Sequence, residues 1–524
     1  MNRGKITTIH DMLLNSQNKY SNRVAFKRFN GEIIDEISYD RFVSDVMSVS
    51  SYFDDFKNQR FGIYAYMSYE WIVLFYAILY SGNTAVLFNR DYNVHELDEA
   101  LEIVELEGMF SDLEDAYINR TVSVDEIVEE YKQKTASSVE KKINKNDIAI
   151  IIFTSGTTGK SKCVQLTNLN LCANLIGCFS LIGDVLNGEK YTSNMTVLPP
   201  HHAYQITVGI QYQIAFGGSV CISRNSKFFM QDLKRFKPGA LVLVPMVVEM
   251  IYKKINLSIS KQKKKRLFSV MIVISKALMK IGIDIRRKLF KRVIDELGGE
   301  LFLIHCGGAE LDYKYVEFFH NIGIEVLCGY GISECSPVIA ANMFNKTKKK
   351  SVGKPLPKDI LQLNIVNDEI MVKGKTVSPG YYNDKENTDL YFTDGWFATG
   401  DLGYLDKEGY LYITGRKKNL IILSNGENVS PENIEQELLN SDYVEEVLVR
   451  AEKQPSGNYS IVADIFPGDA YLKGNSVEQK LIKEKLDELV KRYNQDKAIY
   501  KQIFKYYILS EALKKNALGK VIRK

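Results

Sequence analysis

Glycine, serine, threonine and lysine crowd into one stretch, Thr154-Ser155-Gly156-Thr157-Thr158-Gly159-Lys160-Ser161-Lys162. It comes directly after the apolar run 148–153, which reads as a buried strand. Small residues let backbone N–H groups and hydroxyls approach phosphate oxygens, and lysines add charge, so a polyphosphate cradle is one reading. A polar turn after a strand is the other. The spacing is not that of a Walker loop, because Thr154 stands where its first glycine is required. Asp401 carries two carboxylate oxygens, a chemical match for two sugar hydroxyls, or else a turn cap.

Other catalytic patterns fail. Gly331-Ile332-Ser333-Glu334-Cys335 lacks the last glycine of a nucleophile elbow, Gly329-Tyr330-Gly331 lacks the third glycine of a dinucleotide fingerprint, and no H-E-x-x-H occurs among the six histidines. The seven cysteines include no C-x-x-C pair, which argues for buried thiols in a reducing cytoplasm.

Short β-rich runs at 148–153, 241–244, 301–305 and 325–327, with helical patterns such as 69–79, call for parallel strands with crossover helices. Beyond about Gly415 the texture changes to two strand-like runs, 444–451 and 460–466, and a helix patterned on Val477, Leu481, Leu486, Leu489, Val490 and Tyr493. The expected fold is α/β: a large N-terminal domain of layered α/β subdomains, 1–415, and a small mobile α+β C-terminal domain, 416–524. The chain has 524 residues, 45% of them apolar, and a net charge of +4 that excludes disorder and gives no reason for a nucleic-acid partner. That charge is uneven: 96–130 is strongly acidic and 261–292 strongly basic. No signal-peptide core and no run long enough to span a bilayer is expected.

Five ordered motifs resemble the signatures of the adenylate-forming superfamily, which includes acyl-CoA synthetases, peptide-synthetase adenylation domains and luciferases. The Thr154–Lys162 loop is succeeded by Tyr330-Gly331-Ile332-Ser333-Glu334, similar to Y-G-x-T-E, then by Thr399-Gly400-Asp401, Gly415-Arg416 and Gly519-Lys520. The resemblance implies ATP and Mg2+, with Thr154, Ser155, Gly156, Thr157, Thr158, Gly159 and Lys160 around phosphates. It further implies Gly308, Ala309, Glu310, Gly329, Tyr330 and Gly331 around adenine, Ser333 as a catalytic hydroxyl at the nucleotide, Glu334 at the metal, and Asp401 and Arg416 on the ribose. Lys520 would bind the carboxylate and α-phosphate during adenylation, and Lys418 would be the hinge of the small domain. The loop with Asn425-Gly426 as its turn would line the tunnel for CoA, the second substrate, with Gly426 on that side.

Within the resemblance, Pro199-Pro200-His201-His202-Ala203-Tyr204-Gln205 borders the acyl pocket, His202 taking the gating position. The next residues, 203–207, contain no aspartate to pair with a substrate ammonium, so an apolar carboxylate, a fatty acid, is expected. The reading is an AMP-forming acyl-CoA synthetase in the cytoplasm. The alternatives are an enzyme loading a separate acyl carrier protein, and a catalytically silent nucleotide-binding or membrane-associated interaction protein. The basic segment 266–292 suits either an anionic membrane surface, as a peripheral contact, or a solvated face docked on the protein.

Overall fold

A computed structural model describes residues 6–112, 121–134, 142–154, 161–186, 193–344, 346–423, 428–454, 459–468, 471, 476–515 and 521–523. The chain divides into two compact units, one of Met1–Leu363 with Val372–Phe397 and one of Asn364–Met371 with Ala398–Lys524.

Two sheets organise the larger unit. In the first, the order is Thr121–Ser123, Gly108–Ser111, Arg60–Tyr64, Thr84–Leu87, Ile148–Thr154, Lys162–Thr167, parallel throughout except for the last pair. Ile148–Thr154 lies inside this sheet, which is why its sequence is an unbroken apolar run rather than an alternating one. The second sheet has nine strands. Its parallel centre runs Glu325–Gly331, Leu303–Cys306, Ala240–Leu243, Ser193–Met195, Ser219–Cys221, Val24–Asn30. Antiparallel strands Val338–Ala341 and Lys354–Pro355 extend one edge and Ile33–Ser38 the other.

The helices arise from their patterns. Tyr69–Tyr80 is apolar on nearly every side and is buried almost throughout, and Ser68 starts it by accepting the Trp71 N–H at 2.9 Å. Among the described residues, no helix is long and apolar enough to cross a membrane.

In the smaller unit, Glu446–Lys453, Tyr459–Phe466 and Ile503–Ile508 form a three-stranded sheet. Helices Pro431–Leu439 and Ser476–Gln495 contribute Ile434, Leu438, Leu486, Leu489 and Val490 to one core with Val447, Val449, Ile461 and Ile465. The sequence pattern foretells two of these strands. The third, Ile503–Ile508, goes unread because Lys505, Tyr506 and Tyr507 interrupt its apolar residues and its parallel pairing with Tyr459–Phe466 is non-local.

Three histidines of the larger unit are held neutral by burial. His305, on the strand Leu303–Cys306, is pushed down to about 4 and His202 to about 4, while burial and the neighbouring His202 take His201 to about 3. An unfolded chain binds protons on these rings below pH 6.5, whereas the folded one resists until the depressed values, so stability is lost as pH falls through about 6.5 to 4. His305→Gln should therefore show a shallower decline of thermal midpoint between pH 7 and pH ~4.5 than the parent protein, measured by calorimetry.

Candidate active site

Strands Leu303–Cys306 and Glu325–Gly331 are parallel neighbours, with Cys306 opposite Cys328. The loops that leave these two strands therefore emerge at the same carboxyl edge of the sheet, where open α/β sheets take ligands. Gly308 comes after the first strand in a left-handed conformation, φ +86°, with Ala309 and Glu310 exposed after it. Gly329, Tyr330 and Gly331 are the last three residues of the second strand, and Tyr330 is half-buried there. A Cβ at Gly307 would lie 3.1 Å from the Tyr204 ring, so that ring packs directly on the backbone of this edge.

Ser333 and Glu334 sit on the single turn Ser333–Cys335, and several contacts hold it. Glycine is required at 331, because a Cβ there would come within 2.1 Å of the Pro337 carbonyl oxygen. Buried Asn174, on helix Asn168–Leu186, donates to the carbonyls of Cys335 at 3.0 Å and Val338 at 2.8 Å. Thr207 donates to the Ser336 carbonyl at 3.1 Å, and the Ser378 N–H donates to the Glu334 carbonyl at 2.8 Å. The Glu334 carboxylate itself is gripped by Tyr381, whose hydroxyl donates to Oε1 at 2.9 Å. Burial and that carboxylate keep the phenol protonated, far above its ordinary range.

Tyr381 also joins this turn to the glycine-rich loop. Thr154 ends one strand and pairs with Lys162 at the start of the next, so the ends of the loop are fixed side by side. Ser155, Gly156, Thr157, Thr158, Gly159 and Lys160 lie outside the described residues. Tyr381 bridges to Val164, and the ammonium of buried Lys162 lies 4.0 Å from the centroid of Tyr391 and 5.0 Å from that of Tyr381. Strand Lys162–Thr167 packs on the Ser333–Cys335 turn. The sequence places Lys162 in the loop without a role of its own and does not place Tyr381 in the site. Lys162 stood inside the quoted loop, but Tyr381 had only Pro379-Gly380 before it as a signal.

His202 is half-buried, and its ring centroid is 4.2 Å from that of His201. Its Nε2 is buried with no hydrogen-bond partner among the described residues. The chain after it, Gln205–Gln211, is a π-helix, a form concentrated at functional sites that sequence propensity does not announce. Thr207, which ties this helix to the turn carrying Glu334, belongs to it.

In the smaller unit, strand pairing sets Asp401 opposite Arg416, and Arg416 Nε meets Asp401 Oδ1 at 2.7 Å. Asp401 is buried, and its backbone N–H donates to Thr399 Oγ1 at 3.1 Å. Glu369 was not foreseen. One of its oxygens accepts the Gly400 N–H at 3.1 Å and the other the Lys417 ammonium at 2.7 Å, so it clasps both chain segments beside the Asp401–Arg416 pair. Lys418 is exposed on the turn Lys417–Asn419. Gly426 and Lys520 lie outside the described residues. The residues flanking Lys520 are anchored: Lys515 pairs with Val521, the Ile522 N–H donates to the Lys514 carbonyl at 2.9 Å, and Arg523 donates to the Val449 carbonyl at 3.1 Å and to Glu435.

Comparison with known proteins agrees across the chain. A family model described as AMP-binding enzyme matches residues 13–382, and one described as AMP-binding enzyme C-terminal domain matches 418–524. The chain is 28% identical over 436 residues to the long-chain-fatty-acid–CoA ligase FadD15 of Mycobacterium bovis, covering 76% of this chain and 71% of that protein. It is 27% identical over 579 residues to the long-chain-fatty-acid–CoA ligase of Bacillus subtilis, covering 99% and 93%. Among solved structures, o-succinylbenzoate CoA synthetase (MenE) of Bacillus subtilis, in complex with its acyl-adenylate intermediate, superposes with a TM-score of 0.75 at 22% identity, covering 97% of this chain and 96% of that one. A likeness at that identity carries the fold.

Asn174→Ala should leave two buried carbonyls unsatisfied and lower unfolding free energy by about 1–3 kcal/mol, read from a denaturant melt.

Proposed function

Since the chain belongs to the AMP-binding enzyme family, we propose that it is an ATP-dependent acyl-CoA synthetase, activating a fatty acid through an acyl-adenylate. The observation that carries this reading is the junction at Tyr381, which joins the foot of the glycine-rich loop, through Lys162, to the carboxylate of Glu334. The relatives named as long-chain-fatty-acid–CoA ligases support the choice of acid and acceptor.

In the first half-reaction, a carboxylate oxygen of the acid attacks the α-phosphorus of ATP. A new P–O bond forms as the bond to pyrophosphate breaks. Two anions must meet in line, so neutralisation and positioning are what the protein has to supply. Loop residues Thr154 to Lys160 cradle the phosphates, Gly308 to Glu310 and Gly329 to Gly331 border adenine, and Asp401 with Arg416 takes the ribose. Lys520 brings a compact ammonium to the crowded oxygens.

Glu334 suits Mg2+: it offers hard oxygen, and the described residues contain no group of three His, Cys, Asp or Glu that would form a full protein cage. A single carboxylate is the pattern for an ion whose other ligands are substrate phosphates and water. When bound, Mg2+ supplies charge neutralisation at those phosphates. Tyr381 holds the carboxylate oriented, and Ser333 keeps a hydroxyl beside it.

In the second half-reaction, the CoA thiol gives up its proton to solvent and its sulfur attacks the acyl carbonyl carbon; a C–S bond forms, the acyl C–O bond to the phosphate breaks, and AMP departs. The acceptor comes from outside; within the chain, burial raises Cys163 and Cys328 each to about 12, which makes those two thiols poor nucleophiles. Between the halves, the segment 416–524 turns about Lys418 and brings Gly426 to the CoA side. The match to a C-terminal domain beginning at 418 supports that division. His202, kept neutral, borders an apolar acyl chain. The enzyme works in the cytoplasm and meets lipid peripherally.

Lys520→Ala is expected to abolish carboxylate-dependent pyrophosphate exchange while ATP still binds; unchanged exchange defeats the role. Tyr381→Phe should raise the Mg2+ concentration needed for half-maximal exchange and slow adenylation by roughly one to two orders of magnitude, the worth of a hydrogen bond to a charged group. A panel of carboxylates of increasing chain length, offered first with CoA and then with holo acyl carrier protein, should give AMP with long chains and CoA. Turnover with the carrier protein alone would move the acceptor to that protein, and no AMP with any acid would defeat the reading.

A further inference from the structure

Helix Lys265–Lys280 has two apolar faces, and the protein covers only one of them. Phe268, Met271 and Ile272 pack onto the core, Phe268 against Phe290 and Phe318, and Ser275 is buried on the same side. Leu267, Val270, Ile274 and Ala277, spaced three and four residues apart, form a second stripe that faces solvent, with Val273 beside it. The stripe continues past the helix. Gly282 closes it in a left-handed turn, its N–H on the Met279 carbonyl and that of Ile283 on the Leu278 carbonyl, each at 3.0 Å. Ile281 and Ile283 stand exposed on either side of that turn. Side-chain exposure along the stripe runs from 46% at Ile274 to 69% at Ile281, far more than a helix docked by its only apolar face would show.

Charge borders this stripe with one sign. Lys261, Lys263, Lys264, Lys265 and Arg266 precede or open the helix, and Lys276 and Lys280 lie further along it. Lys276 pairs with Glu317 at 2.8 Å, and the one acid in 261–292, Asp284, pairs with Arg286. No described carboxylate pairs with Lys263, Lys265, Arg266 or Lys280.

We propose that this outer stripe docks the enzyme onto an anionic lipid bilayer, the apolar residues entering the headgroup boundary and the lysines meeting lipid phosphates. The fit is to a lipid surface rather than to a folded partner. The stripe lies along one helix, its bordering charge is all basic, and such a face is what interfacial helices present. The proposal rests on the fatty-acid reading for its purpose, since that substrate partitions into bilayers, but it is testable without activity.

The test is sedimentation of the full-length protein with phosphatidylcholine vesicles, with and without phosphatidylglycerol. The protein should pellet with the anionic vesicles, less so at high salt, and stay in solution with phosphatidylcholine alone. Val270→Glu with Ile274→Glu should weaken vesicle binding at least tenfold, while a short, water-soluble carboxylate is activated as before. A second variant, Lys263→Gln with Lys265→Gln and Arg266→Gln, keeps the apolar stripe and should lose mainly the preference for anionic lipid. Failure to pellet with anionic vesicles, or binding by the glutamate variant equal to that of the parent, overturns the proposal. Vesicle binding without AMP formation from any acid leaves the docking surface standing and removes the fatty-acid reading; the converse removes the surface alone.

Discussion

The turn that carries Glu334 is the constraint on which the larger unit depends. A carboxylate can serve a metal and a triphosphate only if it is held in place against its own repulsion from the phosphates. The chain achieves this by a close crossing at Gly331, where backbone meets the Pro337 carbonyl with no room for a side chain. Asn174, Thr207, Ser378 and Tyr381 then fix the turn from three segments. One of these segments is the π-helix next to the His201–His202 pair, and another leads to the glycine-rich loop. The π-helix after His202, the strand that leaves the glycine-rich loop and the turn of Glu334 are thus tied together.

The smaller unit solves a different problem. Asp401 and Arg416 hold each other across a strand pair, and Glu369 ties the glycine before Asp401 to the lysine after Arg416. That clasp ties the chain as far as Lys417, and Lys418 follows it, exposed on the turn Lys417–Asn419. At the chain end, the Lys515–Val521 pairing and Arg523 oppose the fraying expected of terminal residues.

What the sequence disclosed depended on whether the cause was local. Ile148–Thr154 and Tyr69–Tyr80 were legible because burial on all sides writes itself as an apolar run. Asp401 and Arg416 were legible as a pair because a turn and a strand lie between them. Tyr381 and Glu369 were not, because each acquires its meaning from a partner distant in the chain: Tyr381 from Glu334 and Val164, Glu369 from Gly400 and Lys417. The π-helix escaped for another reason, since residue type does not separate it from an α-helix. The second apolar face of Lys265–Lys280 escaped because a hydrophobic pattern reports periodicity, not which of two faces the fold will cover.

The two charged tracts show how the fold treats surplus charge. Part of the acidic tract, 96–130, is absorbed locally: Glu96 closes a capping box with Asn93, Asp112 accepts from Arg90 and the Tyr66 N–H, and Glu129 and Glu130 meet Lys132 and Lys134. The basic tract is only half absorbed. Arg286 and Arg287 turn inward, to His320, Glu325 and the carbonyls of Gly299 and Leu301, and burial lowers the Arg287 guanidinium below its ordinary value. The lysines around 261–266 have no such use inside the molecule. Like charges clustered at a surface repel one another; water and salt screen that repulsion, and an anionic surface relieves it further. In this protein the unneutralised half lies beside uncovered apolar side chains, and one surface that satisfies both at once is an anionic bilayer.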